Sequence, residues 1–328
     1  MESKQYLLIQ TLADGKFHSG DDLGSLLGIT RAAVWKRIAQ MKDIGLTVDS
    51  VRGKGYILPS KIELFDQDKI SQQISPDCQP KALVILPMVD STNTYAMEYP
   101  DHLEDKWLAV LAETQTGGRG RRGRDWVSPF GGNLYLSLAM DLSNGLGGMD
   151  QLSLWVAIAV ANTLKQLGVQ DVSLKWPNDV YAQSKKIAGI LLEARGEAEG
   201  QARVVIGIGV NLKASEALES VDQPWTSVTD QLAKSVQPER NAFAALVIQN
   251  VIDLRSSYLT GEAPSLQTAW QPLDYLADKD IVLTLGNNQV NGKYRGLTNE
   301  CHILVENDGG VISYNAGEVS VRATTGNA

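Results

Sequence analysis

The sequence predicts a multi-domain α+β protein: an N-terminal winged helix-turn-helix, a central α+β domain with a mixed sheet, and a small C-terminal β-barrel. Three observations predict it. Two amphipathic helical patterns flank a Gly-containing turn near the N-terminus, and the period then switches to two. The middle of the chain sets strand-like runs beside a long, nearly all-round apolar helix pattern. From about Trp270 only short strand patterns at even spacing remain. At 328 residues two or three domains are expected. The boundaries fall at 1–62, 63–80 (a linker), 81–270 and 271–328.

Leu8, Ile9 and Leu12 give a first short helix, ended by Asp14-Gly15. Ser19-Gly20-Asp21-Asp22 has the form of a capping box before a second helix that buries Leu23, Leu26 and Leu27. Gly28-Ile29-Thr30 makes a tight turn and a new N-cap. In the third helix Val34, Ile38 and Met41 form the buried stripe. After Gly45, Leu46 and Val48 lead through Arg52-Gly53-Lys54-Gly55 to Tyr56 and Leu58, a hairpin with a basic tip. From Arg31 to Lys54 there are six Lys/Arg against two acids. Turn, helix and basic wing together point to DNA binding, with a solvated basic face or a protein contact as the alternatives. Thr30, Arg31, Ala32 and Trp35 would face the major groove, with Lys36 and Arg37 beside them. Arg52 and Lys54 would meet phosphates.

Beyond the linker, Ala82–Leu86 reads as a strand and Asp90-Ser91-Thr92-Asn93 as a polar turn and helix cap. Trp107–Glu113 and Asn133–Leu138 are strands that enter and leave a Gly/Arg-rich segment. Gly145-Leu146-Gly147-Gly148 reads as flexible, and Gln151–Leu167 as the buried helix. Strands follow at Val172–Trp176, Ile187–Glu193 and Val204–Leu212, then an acidic loop at Ala214–Trp225 and a helix at Asn241–Tyr258. The tail carries strands at Ile281–Leu285, Val290–Arg295, His302–Val305, Val311–Ser313 and Val319–Arg322.

Composition excludes several function classes. Hydrophobic residues make up 43% and charged residues 21%, as in a globular protein with an ample core. The N-terminus has no signal-peptide pattern and no apolar run is long enough to span a bilayer, so a cytoplasmic location and no membrane partner are expected. Two distant cysteines and three histidines match no disulfide or zinc framework. With a net charge of -8, any nucleic acid must be met by a local patch.

The segment from Gly117 to Arg124 packs four arginines and four glycines into eight residues, and Trp126 follows. Glycine lets a backbone approach a ligand closely, and arginine forks match phosphate or carboxylate oxygens. A mobile loop closing over a small polyanion and an RGG-like nucleic-acid contact fit these residues about equally. Three further polar clusters occur in the middle domain: Asp90-Ser91-Thr92-Asn93, Lys175-Trp176-Pro177-Asn178-Asp179, and Lys185-Lys186 before an apolar strand. Taken singly, these are a cap, a turn and a solvated pair.

Together they carry a resemblance. Gly118-Arg119-Gly120-Arg121-Arg122-Gly123-Arg124, Lys175-Trp176-Pro177-Asn178-Asp179, Asp90-Ser91-Thr92-Asn93 and Lys186-Ile187-Ala188-Gly189-Ile190-Leu191 resemble the signature segments of biotin protein ligases. With the helix-turn-helix in front, the chain is similar to the bifunctional bacterial type that also represses the biotin synthesis operon. The resemblance runs from about Phe17 to Arg322, and the order and spacing of the motifs agree. It implies a central ligase domain and an SH3-like C-terminal barrel. It implies that ATP and Mg²⁺ activate biotin to biotinyl-5′-AMP, with transfer to a lysine of the biotin carboxyl carrier protein of acetyl-CoA carboxylase. With the adenylate bound, it implies a homodimer on operator DNA.

The resemblance also implies residue roles. Ser91, Thr92, Asn93, Gln115, Gly118, Arg119, Gly120, Arg121 and Lys186 match biotin contacts. Trp126, Asn178 and Asn211, with Arg119, Arg121 and Lys186, match positions near ATP and the adenylate. Lys186, Arg119, Arg121 and Asp179 form the expected catalytic set. The chemistry is consistent with this: a carboxylate approaching a triphosphate needs charge neutralised and water excluded, not a base. Asp125 stands where a basic residue is common, and Trp35 where a polar one is expected. The competing readings are a lipoate ligase, a biotin-responsive repressor without ligation, and an RNA-binding protein.

Overall fold

The computed structural model describes residues 1–59, 61–103, 106–142, 149–196, 200–233, 238–259, 265–315 and 319–323. The stretch expected to be flexible, Gly145–Gly148, lies outside the described residues. Three helices open the chain: α1 (Ser3–Leu12), α2 (Gly20–Leu27) and α3 (Arg31–Gln40). Ser19 Oγ accepts from the Asp22 N–H at 3.0 Å and Thr30 Oγ1 from the Ala33 N–H at 3.3 Å, so both helices carry side-chain N-caps. Gly28, at φ 60°, closes α2 in the left-handed conformation. The antiparallel strands β1 (Asp49–Val51) and β2 (Gly55–Ile57) form a two-stranded hairpin after them. Leu8, Ile9, Leu12, Leu23, Val34, Met41 and Leu58 are the core of this helix-turn-helix unit. Leu26, counted above among the buried residues, is exposed. Phe130, from far along the chain, is buried in the same cluster.

The stretch expected as a linker holds α4 (Gln67–Ser71), which packs on α8 below. The central part then runs β3 (Ala82–Leu86), α5 (Thr92–Met97), β4 (Leu108–Ala112), β5 (Leu134–Leu142) and α6 (Met149–Gln166). It continues with β6 (Val172–Lys175), β7 (Asp179–Ala182), β8 (Lys185–Gly196), β9 (Ala202–Val210), α7 (Val228–Gln231), α8 (Arg240–Leu259) and α9 (Leu266–Trp270). Its seven-stranded sheet has the order β3-β4-β5-β9-β8-β7-β6. Only the β3–β4 pair is parallel, which makes the sheet mixed as expected.

The two faces of this sheet differ because side chains alternate along each strand. On β9, Val204, Ile206, Ile208 and Val210 join the large core that also holds α6 and α8. Val205 faces the smaller cluster beside α5, and Gly207 and Gly209 follow it at period two. The helical face is thus closed by apolar packing, while the other face is left shallow where the glycines fall.

The strand β7 was not anticipated. Its turn to β8 is Gln183-Ser184, both at positive φ as a two-residue hairpin turn requires, but neither is the usual glycine or asparagine.

The C-terminal part contains β10 (Asp280–Leu285), β11 (Asn288–Leu297), β12 (Ile303–Asn307), β13 (Gly310–Tyr314) and β14 (Val319–Ala323). They form one antiparallel sheet in the order β13-β12-β11-β10-β14. No ladder joins β13 to β14 among the described residues, so the sheet is open where a closed barrel was expected. The sheet is fastened to the centre by Trp176 Nε1, which donates to Cys301 O at 2.9 Å, and by the Tyr275 N–H, which donates to Leu174 O at 2.9 Å. Among the described residues no helix is long and apolar enough to cross a membrane.

Candidate functional site

A cleft of about 620 Å³ opens on the glycine-bearing face of the central sheet. That volume suits a small-molecule ligand. Its lining draws on all four polar clusters seen in the sequence: Ser91 to Asn93, Gln115 with Arg119 to Trp126, Lys175 to Asp179, and Lys186. Gly118 itself does not line it, but its carbonyl accepts from the Trp126 N–H at 2.9 Å.

At one part of the cleft, Ser91 is the N-cap residue of α5, yet its side chain makes no capping bond. The capping is done by Gln115, 23 residues away from Thr92. Its Oε1 accepts from the Thr92 N–H at 2.9 Å and from Thr92 Oγ1 at 3.1 Å. Gln115 Nε2 donates to Ser128 Oγ at 3.2 Å. Asn93 is also braced: Oδ1 lies 2.6 Å from Ser137 Oγ, and Nδ2 donates to Glu193 Oε2 at 2.7 Å. Thr92, Asn93 and Gln115 therefore fix one another, and Ser91 is left to present its hydroxyl to the cleft it lines.

The Gly/Arg segment is not a disordered tether. Arg119 pairs with Asp125 in an antiparallel bridge, and the Gly120 N–H donates to Arg124 O at 2.7 Å. A single turn at Arg121–Gly123, with Arg122 at φ 59° and Gly123 at φ 70°, closes the excursion. The Arg119 guanidinium reaches Thr94 Oγ1 at 3.1 Å and Glu193 at 3.3 Å.

The segment ends by laying Trp126 on the sheet. Gly189 and Gly209 are cross-strand partners on β8 and β9. A Cβ on Gly209 would stand 2.4 Å from Trp126 Cε2, and one on Gly189 would stand 3.0 Å from Trp126 Cζ3. Two glycines in register thus make the indole's bed. The Trp126 Nε1 is buried with no hydrogen-bond acceptor among the described residues, which invites one from a ligand.

Cations gather beside the indole. Lys186 Nζ lies 5.5 Å from the Trp126 ring centroid and 2.7 Å from Asp179 Oδ1. Burial pushes the Lys175 ammonium below the usual lysine range, against the pull of Asp179 and with the help of Lys186, Arg124 and Arg322. Arg124 and Arg322 both line the cleft, the latter from β14. Arg121 lines it as well. Asn178 Nδ2 donates to Ile190 O at 2.7 Å, and Asn211 Nδ2 to Thr226 O at 3.2 Å; both line the cleft while tying its walls together.

Sequence reasoning missed part of this site. Lys175 was quoted in its motif but given no role, and Arg322 was read only as strand. The acidic loop proves to be a wall: Val221 to Trp225 line the cleft, and Lys186 forms a parallel bridge with Trp225. Its signal was the Pro224-Trp225 pair within an otherwise unpatterned stretch. The implied magnesium has no resident donor set here, since no group of three His, Cys, Asp or Glu among the described residues could hold a metal. Asp179, the acid beside Lys186, is already paired with it.

The helix-turn-helix face is separate from the cleft. Ala32, Lys36, Arg52 and Lys54 are exposed, and Trp35 is 63% exposed. The Thr30 hydroxyl caps α3. Arg31 lies 3.6 Å from Asp21, with both side chains largely exposed. Arg37 turns away to pair with Glu2 at 2.8 Å, which removes it from that face.

Known proteins resemble the chain in all three of its parts. Residues 85–211 match the model of the biotin/lipoate A/B protein ligase family, residues 4–57 an HTH domain, and residues 278–322 the biotin protein ligase C-terminal domain. The chain is 39% identical over 318 residues to the bifunctional ligase/repressor BirA of Escherichia coli, covering 96% of each chain. It is 27% identical to the protein of that name from Bacillus subtilis, covering 94% of this chain and 95% of that one. Among solved structures, the biotin protein ligase from Aquifex aeolicus in complex with biotin and ATP superposes with a TM-score of 0.64 at 27% identity. That match covers 74% of this chain and all of the other.

Proposed function

The chain belongs to the bifunctional biotin ligase/repressor family, and from that premise we propose that it makes biotinyl-5′-AMP from biotin and ATP and passes the biotin to a carrier lysine. The carrier is the biotin carboxyl carrier protein of acetyl-CoA carboxylase. We take residues 1–62 as the DNA-binding domain, 63–80 as linker, 81–270 as the biotin/ATP-binding domain and 271–328 as an SH3-like C-terminal domain. The observation that carries this reading is one cleft with a braced polar slot at Ser91 and a group of cations around Lys186. Such a cleft takes a neutral ureido ring and an anionic tail together.

In the first step the biotin carboxylate attacks the α-phosphorus of ATP, the bond to the β-phosphate oxygen breaks, and pyrophosphate leaves. The carboxylate is already an anion at neutral pH, so no base is needed. What is needed is positive charge between two repelling anions, and Lys186 and Arg121 supply it, while Arg119 holds the segment that carries Arg121. Asp179, 2.7 Å from Lys186, orients that ammonium. Trp126, with Asn178 and Asn211, covers the nucleotide and excludes water from a hydrolysable mixed anhydride. In the second step the carrier lysine, as a neutral amine, attacks the acyl carbon; AMP leaves with the bonding pair and the amine loses a proton. Asp179 is the group that orients the amine or takes that proton. Magnesium enters with ATP as part of the substrate.

Biotinyl-5′-AMP is also the corepressor: the liganded protein dimerises and binds the biotin operon operator. Thr30, Arg31, Ala32, Trp35 and Lys36 enter the major groove, and the β1–β2 hairpin acts as a wing that sets Arg52 and Lys54 on phosphates. Both cysteines are free and buried, and we place the protein in the cytoplasm.

The test is to incubate the protein with ATP, Mg²⁺, an apo carrier domain and labelled biotin or labelled lipoate. Carrier labelled with biotin is expected. Labelling only with lipoate, or adenylate formed without transfer, refutes the proposal.

A further inference from the structure

Arg119 is expected above to face phosphates, yet its guanidinium points to α5 and β8. Nη1 donates to Thr94 Oγ1, and Nη2 stands 3.3 Å from both oxygens of Glu193. The same carboxylate accepts from Asn93 Nδ2 at 2.7 Å. Asn93 continues to Ser137, and Ser137 Oγ lies 2.7 Å from Thr92 Oγ1, whose hydroxyl donates to Gln115. One carboxylate therefore joins the first arginine of the Gly/Arg segment to the braced floor of the slot.

We propose that Glu193 is a positioning residue for the ligation. It holds the near limb of the Gly/Arg segment in register with the slot, and Arg119 acts through it as the other half of a latch. The inference rests on the ligase reading for the reaction it names. Three features carry it. Asn93 cannot shift: it is 4% exposed, and it fills the space where a Cβ on Gly207 would stand 2.5 Å from its Oδ1. Glu193 is thereby fixed from below, and the half-exposed Arg119 is the movable end. An ion pair that exposed holds weakly, which suits a segment that must open to admit substrate. The pin also reaches Trp126, because the Arg119–Asp125 bridge places the indole one residue beyond the pinned rung.

The experiment compares wild type with Glu193→Gln, Glu193→Ala, Arg119→Ala and the double alanine variant. It reads release of biotinyl-5′-AMP, KM for biotin against kcat for carrier labelling, and trypsin cleavage within residues 119–124 of the ligand-free protein. Glu193→Ala is expected to speed adenylate release about ten-fold and to raise KM more than it lowers kcat. Glu193→Gln, which keeps an acceptor for Asn93, is expected to give about a three-fold effect. Adding Arg119→Ala to Glu193→Ala is expected to change release by less than about two-fold, because both remove one latch. Trypsin is expected to cut both Glu193 variants faster with the thermal midpoint unmoved. Additive effects of the two alanine substitutions would mean that Arg119 serves the ligand directly, and would overturn the proposal. So would unchanged release and unchanged cleavage in both Glu193 variants. Should the wild type label no carrier with biotin, the ligase reading fails, and the tryptic comparison still decides the latch.

Discussion

Arg240→Met tests what joins the helix-turn-helix end of the chain to the centre. Arg240 and Glu113 form an ion pair at 4% and 0% side-chain exposure. The Arg240 Nε donates to Asn133 O at 2.9 Å and its Nη1 to Glu63 O at 3.1 Å, while the guanidinium lies 3.7 Å from the Phe65 ring centroid. Glu113 Oε1 also takes the Phe65 N–H at 2.7 Å. The substitution leaves Glu113 as a buried charge with one backbone donor and leaves two carbonyls unpaired. Deleting one partner of a buried pair costs about 3–5 kcal/mol, and we expect about 4 kcal/mol here because methionine refills part of the volume. The loss is read by urea unfolding followed through tryptophan fluorescence. Adding Glu113→Gln is expected to recover about 2 kcal/mol, since the stranded charge is the main cost. A loss below about 1 kcal/mol, or no recovery in the double variant, would refute the reasoning.

Two further predictions follow from the same geometry. Gly209→Ala is expected to displace the Trp126 indole rather than β9, weakening adenylate retention about ten-fold at a stability cost below about 1 kcal/mol; unfolding and release measured together check it, and a stability loss above about 3 kcal/mol would mean that the strand moved instead. Asp141→Asn is expected to remove an acid-sensitive component of stability. Burial alone would raise the Asp141 carboxyl, but the Arg203 and Leu103 hydrogen bonds and the Arg203 charge outweigh it and hold it below the ordinary value. The folded state therefore releases this proton more readily than the unfolded one. The stabilisation is present above the usual carboxylate range and is lost as pH falls from that range through the depressed folded value, so wild type should exceed the variant by about 1 kcal/mol at neutral pH and by almost nothing in strong acid.

Legibility followed the range of the interactions. Elements set by local patterning were readable: the caps at Ser19 and Thr30, the buried stripe of α3, and the long apolar helix α6 all stand where the sequence puts them. The strand β7 escaped because its turn lacks the residues that usually tolerate positive φ. The Asp90–Asn93 turn was read as a cap, and so it is, but the bond that completes the cap comes from Gln115 on another strand end, which no local pattern encodes. Arg322 and Trp225 reach the cleft only through pairings between distant segments, and the Glu193 carboxylate meets Asn93 in the same way. Motif residues could be read as a set; the side chains that position them could not, since glutamate in a strand carries no mark of what it faces.

The Gly/Arg segment shows how a short piece of chain answers to two places at once. Its tryptophan lies on the glycine bed of the cleft, and Phe130, buried in the helix-turn-helix core, follows after only Val127, Ser128 and Pro129. Extended backbone spans at most about 3.6 Å per residue, so these three residues offer little slack. Ser128 has less still, because its hydroxyl bonds Trp126 O at 2.9 Å and its carbonyl accepts from Thr114 Oγ1 at 2.6 Å. At the next rung the Gly131 N–H donates to Glu113 O at 2.9 Å, and Ile62 packs where a Cβ on Gly131 would stand 2.7 Å away. A displacement of the indole must therefore be absorbed within three residues or passed to Phe130 and the packing around it. Taken alone, the residues of this segment fitted a small-ligand clamp and a nucleic-acid contact equally, and the motifs that accompany it in the sequence already favoured the clamp. The geometry gives its arginines and indole to the cleft and anchors its far end in the core of the nucleic-acid-binding fold.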